Sequence, residues 1–175
     1  MVKKISFAVV MIFLSFSGAS ASEQRFQNVI ASVVVGTTFR MSLDKSSLDF
    51  GVIRPGKWIE LYPERHYHQI TCISNNKKTW YLKLSMLGDI TGQGGFALPK
   101  DSLKWQIFWT NGSGVKKEGW EGLQQDKATV IYNSGPLDGQ GQEVYIRLRY
   151  ALDVPGNVPA GNYNGVLVYT MTESL

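Results

Sequence analysis

The side chains able to do chemistry in this chain are few: 175 residues carry 2 histidines and 1 cysteine. His66 and His68 stand two apart, which on a strand sets both on one face and offers two nitrogens to a metal ion. No third ligand follows at a recognisable spacing, and Glu64-Arg65-His66-Tyr67-His68 is polar throughout, so the expectation is the solvated start of a strand and no metal. Gly92-Gln93-Gly94-Gly95 has the glycine content of a phosphate-cradling loop. It lacks the lysine and hydroxyl residue of a P-loop and precedes no helical pattern, so it is read as a mobile loop. The chain has no G-x-S-x-G and no H-E-x-x-H, and nothing links a histidine to a serine or to Cys72. Asp126 with Asp138, or Glu118 with Glu121, would be the paired carboxylates of glycoside chemistry, but such pairs arise in any chain of this size and are read as solvated loop charges. No catalytic residue, cofactor or metal ligand is assigned, and an enzyme is not expected.

Aromatic residues carry more information. Trp105 and Trp109 are four apart and would share one strand face, and large aromatics fill sandwich cores, so both are expected to pack inward. Trp120, within Lys116-Lys117-Glu118-Gly119-Trp120-Glu121-Gly122, is left open between core and a platform for a sugar ring. Asn111-Gly112-Ser113 matches an N-glycosylation acceptor and is read as a turn. Cys72, between Ile70 and Ile73, has no partner for an internal bridge and is expected to be a buried, inert thiol.

The elements that position these residues follow a leader. Lys3 and Lys4 precede an apolar run over residues 5–16, and Ala19-Ser20-Ala21 supplies small residues for cleavage, the pattern of a secretory signal peptide. The run is too short for the roughly 20 residues that span a bilayer, so no stable membrane span is expected. Cleavage after Ala21 removes Lys3 and Lys4, and with them two of the four net positive charges, leaving no basic field for nucleic acid. The expected organisation is a signal peptide over 1–21, an N-terminal arm over 22–36 and one folded domain over 37–175, exported and ending at the cell surface or outside it.

The exported part reads as strands. Val29, Ala31, Val33, Val35, Thr37, Phe39, Met41 and Leu43 occupy alternate positions, with Gly36 dividing an arm segment at 28–35 from a first strand at 37–43. Runs rich in β-branched and aromatic residues follow at 47–53, 58–62, 67–74, 79–87, 103–110, 128–132, 143–152 and 163–171. Turn chemistry separates them at Arg54-Pro55-Gly56, Ser74-Asn75-Asn76, Asp138-Gly139 and Pro155-Gly156. No helical periodicity lasts three turns, so an all-β sandwich is expected. Trp80, Leu82, Leu84 and Met86, and Val144, Ile146, Leu148 and Tyr150, are its clearest inward faces, with Lys83, Arg147 and Arg149 turned to solvent or an edge.

The alternating segment, then Ser47-Leu48-Asp49-Phe50-Gly51, Thr71-Cys72-Ile73 and Pro159-Ala160-Gly161-Asn162-Tyr163-Asn164-Gly165, resembles the spore coat protein U and related secreted pilin-like families, which include the chaperone-usher fimbrial subunits. The resemblance implies an immunoglobulin-like sandwich lacking a final strand and completed by the N-terminal arm of the next subunit. Its partners would be copies of itself or related subunits, a periplasmic chaperone and an outer-membrane usher. Many of those relatives pair a cysteine near the first strand with one near Cys72; here Phe39 and Met41 stand in that strand. Fimbrial subunits also tend to end on a penultimate tyrosine, whereas Tyr169 lies six residues before Leu175.

Two functions are therefore expected to compete. One is a structural subunit of a surface fibre or coat, in which Val29, Ala31, Val33 and Val35 of one copy fill the groove of another. The alternative is a self-contained secreted binding module for carbohydrate, with Trp120 and loop residues as its platform.

Overall fold

A computed structural model describes residues 32–61, 67–123 and 127–175. The leader at 1–21, the first part of the arm with Val29 and Ala31, His66 and Asp126 lie outside the described residues. By contact the chain divides into Met1–Val34 and Val35–Leu175, and every strand among the described residues lies in the second unit.

That unit is all β. Its strands are β1 (Phe39–Leu43), β2 (Lys57–Leu61), β3 (His68–Ser74), β4 (Tyr81–Gly92), β5 (Leu103–Thr110), β6 (Val115–Lys116), β7 (Glu121–Gly122), β8 (Thr129–Asn133), β9 (Glu143–Val154) and β10 (Tyr163–Thr172). Two antiparallel sheets pack together as a sandwich. The six-stranded sheet runs β1-β3-β9-β5-β7, with β2 continuing alongside β9, and the four-stranded sheet runs β10-β4-β8-β6. No helix among the described residues is long and apolar enough to cross a membrane.

Period-two alternation explains the layers. In β9 Val144, Ile146, Leu148 and Tyr150 are buried while Tyr145, Arg147 and Arg149 between them are half-buried on the other face. Opposite them, Leu82, Leu84 and Met86 of β4, with Trp80 just before it, point inward and are buried. Ile70 stands across from Ile146 and Cys72 across from Val144, so β3 repeats the alternation of β9. Each fully buried aliphatic side chain contributes about 1.5 to 3 kcal/mol over its exposed state.

Segment 47–53 departs from the expected strand. Asp49 Oδ1 accepts the Gly51 amide at 2.8 Å and Gly51 takes φ +65°, a local turn that competes with any ladder. Leu48, Phe50 and Ile53 nevertheless rest against the core. The short strands β6 and β7 were not anticipated; two residues leave no period to detect. Gln93–Gly95 forms a single 3-10 turn in place of the expected open loop, with Gly94 and Gly95 at positive φ.

Asp138 also departs from expectation. It is 1% exposed instead of solvated. Its Oδ1 accepts from the Ser113 amide (2.8 Å) and hydroxyl (3.0 Å), and its Oδ2 from the Tyr132 hydroxyl (2.6 Å) and the Gly135 amide (2.7 Å). One carboxylate thus ties the loop after β5 to the turn after β8. Burial and the neighbouring carboxylate raise the Tyr132 phenol well above its usual range, so it stays a donor. Of Asn111-Gly112-Ser113, Ser113 belongs to this knot, while Asn111 ties the same turn to β9, donating to Glu143 O at 3.0 Å and accepting the Tyr145 amide at 2.7 Å.

Candidate functional site

Among the described residues five strands have a neighbour on one side only: β1, β2 and β7 in one sheet, β10 and β6 in the other. Sheet edges expose unpaired backbone groups, and proteins blunt them with short strands, charges or proline. β6 and β7 have two residues each, β1 has five with Arg40 second, and β2 has five with Lys57 and Glu60 among them. β10 has ten, Tyr-Asn-Gly-Val-Leu-Val-Tyr-Thr-Met-Thr, with neither a charge nor a proline. It pairs with β4 alone, and no described strand covers its other side.

The inward side chains of β10 are also incompletely covered. Leu167, Tyr169 and Met171 pack on the core but remain only half-buried, as do Met41, Leu48 and Phe50 from the opposite sheet and its following segment. A cavity of about 130 Å³ opens here, lined among others by Leu48, Phe50, Met86, Ile90, Tyr163 and Leu167. On the outer side Val166 is 55% exposed. A bulge between Asn164 and Val166 shapes one end, where a Cβ added to Gly165 would lie 2.9 Å from Ile90 Cγ1. The tyrosine of the Pro159-Ala160-Gly161-Asn162-Tyr163 turn donates its hydroxyl to Pro159 O at 2.9 Å and so fixes where β10 begins.

His68 is tied to β10. Its Nδ1 lies 3.1 Å from the Tyr169 hydroxyl, which also bonds the Tyr150 hydroxyl, so one polar bridge joins β3, β9 and β10. His68 Nε2 stands 3.5 Å from Asp44 Oδ1, beyond good hydrogen-bond geometry. Burial pulls its pKa below the ordinary histidine value, Asp44 partly offsetting this. The expectation of a solvated His68 is therefore overturned, because it shares strand parity with the buried Ile70 and Cys72. Among the described residues no group of three or more His, Cys, Asp or Glu could hold a metal ion.

Comparison with protein-family models, with curated proteins and with solved structures finds no match for this chain. The site must be judged on its geometry.

Of the arm residues named from the sequence, Val33 and Val35 are described, and both are open to solvent, at 79% and 78% exposure. No strand is formed over residues 32–38; Asn75 holds the backbone at Gly36 and Thr38 through bonds of 2.9 and 2.6 Å. Cys72 is fully buried, and burial pushes its thiol up to about 12. Glu118 and Glu121 are ion-paired with Lys116 and Lys117 near the surface.

Trp105 is buried as expected, but Trp109 is not. A bulge between Ile107 and Trp109 sets Phe108 and Trp109 against the single residue Arg147, reversing the parity of β5 so that Trp109 reaches the outer face. Trp120, half-buried, packs edge-on against Trp58 with ring centroids 5.5 Å apart. Around the bulge the rings collect arginines: the Arg147 guanidinium lies 4.3 Å from the centroids of both Tyr67 and Trp109, and that of Arg149 lies 4.4 Å from Phe108. Sequence reasoning missed this cluster. Only the outward parity of Arg147 and Arg149 was readable; the bulge that brings Trp109 to them carries no glycine or proline to announce it.

Proposed function

We propose that this protein is a secreted structural subunit of a surface fibre or coat, assembled by strand donation. The arm of one copy lies along β10 of the next, its backbone pairing with the free edge and Val29, Ala31, Val33 and Val35 entering the groove. The single observation that carries this proposal is β10 itself: a ten-residue edge without charge or proline whose inward side chains are half-covered. The exposure of Val33 and Val35 supports it, since apolar residues at alternate positions of an unpaired segment suit a groove lined by Leu48, Phe50 and Leu167.

On this proposal the sandwich is immunoglobulin-like and incomplete, and the resemblance to pilin-like families extends to export and to a chaperone that shields β10 before assembly. Its surface role is structural, with no reaction catalysed. The test is a size distribution of mature protein, residues 22–175, over a hundredfold range of concentration, with and without a synthetic peptide of residues 28–38. Concentration-dependent polymers that the peptide caps are expected. A monomer that neither polymerises nor binds the peptide would sink strand donation.

A further inference from the structure

We propose that the outer face of the six-stranded sheet binds an acidic polysaccharide, with Arg147 and Arg149 taking carboxylate or sulfate oxygens and Trp109 supplying the ring-stacking surface. This site is separate from the β10 groove and does not depend on strand donation. Arg147 and Arg149 stand two apart on β9, so both side chains leave the sheet on the same face, roughly 7 Å apart along the strand.

Arginines on a sheet face are ordinarily neutralised by carboxylates. Among the described residues neither Arg147 nor Arg149 has an ion-pair partner. Arg147 Nε donates to the uncharged Gln69 Oε1 at 3.0 Å, and the buried Nε of Arg149 has no hydrogen-bond partner. Carboxylates on the same face are engaged elsewhere: Glu143 accepts the Tyr145 hydroxyl, and Glu60 the Trp58 indole at 3.4 Å. Asp153 lies four positions beyond Arg149, about 13 Å along the strand. Among the described residues two positive charges are thus left without counter-charge, and that sets the sign of the partner.

The rings set its class. Tyr67 and Trp109 hold the Arg147 guanidinium by cation-π contact, and Phe108 holds that of Arg149, so both forks are ordered before any ligand arrives. An ordered guanidinium presents a planar pair of donors that suits a carboxylate or sulfate better than a lysine would. Trp109 keeps 38% of its surface exposed beside them, an apolar plane next to two cations. A sugar ring bearing an oxyanion matches that combination. Trp58 and Trp120 extend aromatic surface toward the far end of β9, opposite Asp153, so the platform runs about 20 Å from Arg147 and fits a polymer better than a single sugar.

The experiment is calorimetric titration of mature protein at 0.15 M salt with polygalacturonate, heparin and neutral dextran as probes. The first two separate a carboxylate from a sulfate partner. At least one charged polymer is expected to bind, and dextran not. Arg147→Lys and Arg149→Lys, which keep the charge but lose the fork, are each expected to weaken binding at least tenfold, and Trp109→Ala likewise. Lys83→Gln, on the four-stranded sheet, is expected to change it less than twofold. Where a substitution unfolds the chain, the wild type supplies the readout: a bound polyanion shifts the fluorescence of the platform tryptophans, and dextran does not. Absence of binding to both polyanions, equal binding of dextran, equal weakening by Lys83→Gln, undiminished binding by both lysine variants, or a wild-type fluorescence shift as large with dextran as with the polyanions would each overturn the proposal.

Discussion

Tyr169 and His68 meet across the sandwich: a phenol oxygen from the free-edged strand β10 stands 3.1 Å from Nδ1 of a histidine, 2% exposed, that opens β3 in the other sheet. Burial is the main reason His68 resists protonation, and Lys45 adds to it while Asp44 works against it. In the unfolded chain the same imidazole takes a proton near its ordinary 6.5. Below that value the unfolded state binds more protons than the folded one, so this contribution to stability is complete above about pH 6.5 and is lost as the pH falls through the lower, folded value. The urea midpoint is expected to drop between pH 7.5 and pH 5, and His68→Gln to flatten that drop while costing about 1 to 3 kcal/mol at pH 7.5. Parallel pH profiles for the two proteins would mean that His68 charges freely where it stands.

The Asp138 knot makes a second expectation. Removing this carboxylate strands the Ser113 and Gly135 amides and the Tyr132 hydroxyl at a buried site, so Asp138→Ala is expected to cost about 3 kcal/mol or more in urea unfolding. Gly114→Ala should damage the same knot from the other side, because a Cβ there would lie 2.1 Å from Asn133 O, a backbone atom with no room to retreat. A loss under 1 kcal/mol in both variants would show that the loop after β5 repacks without it.

Strands were legible where alternation is long and turns are marked by glycine or proline, as in β4, β9 and β10. Legibility failed where a local bond or an extra residue intervenes. Asp49 folds its own segment into a turn; the bulge at Phe108 and Trp109 inverts the face of a tryptophan that spacing alone assigns inward. Asp138 looked like a loop charge because two of its four hydrogen bonds come from Ser113, 25 positions earlier, where the sequence gives no sign of the contact. An open groove beside the closing strand 163–171 was expected through the resemblance alone: a strand's composition is local, but its lack of a neighbour is a property of the whole topology.

Cys72 yields a third expectation. Its thiol is fully buried and held up to about 12 by burial, so almost none is thiolate at neutral pH. Labelling by a thiol reagent should proceed no faster than unfolding, and nonreducing gels should show no dimer. Labelling within minutes under native conditions would place Cys72 on an opening segment.

The arm supplies the last expectation, and it concerns register. If Val33 and Val35 enter the groove beside β10, then Val34, between them, faces out, because side chains alternate along a strand. Burying a valine is worth about 1.5 to 3 kcal/mol, and a buried unpaired carboxylate costs more than that gain. In a peptide of residues 28–38, Val33→Asp should therefore lower affinity for protein lacking residues 22–35 by about 100-fold or more. Val34→Asp should change it by about twofold, as exposed substitutions do. In the full chain Val33→Asp should abolish polymers yet leave a sandwich that still accepts the wild-type peptide in trans. Isothermal titration of the two peptides distinguishes the cases. Greater damage from Val34→Asp would reveal the slipped register, in which every groove-facing valine turns outward. Equal indifference to both would remove the arm as the donor and leave β10 to another strand.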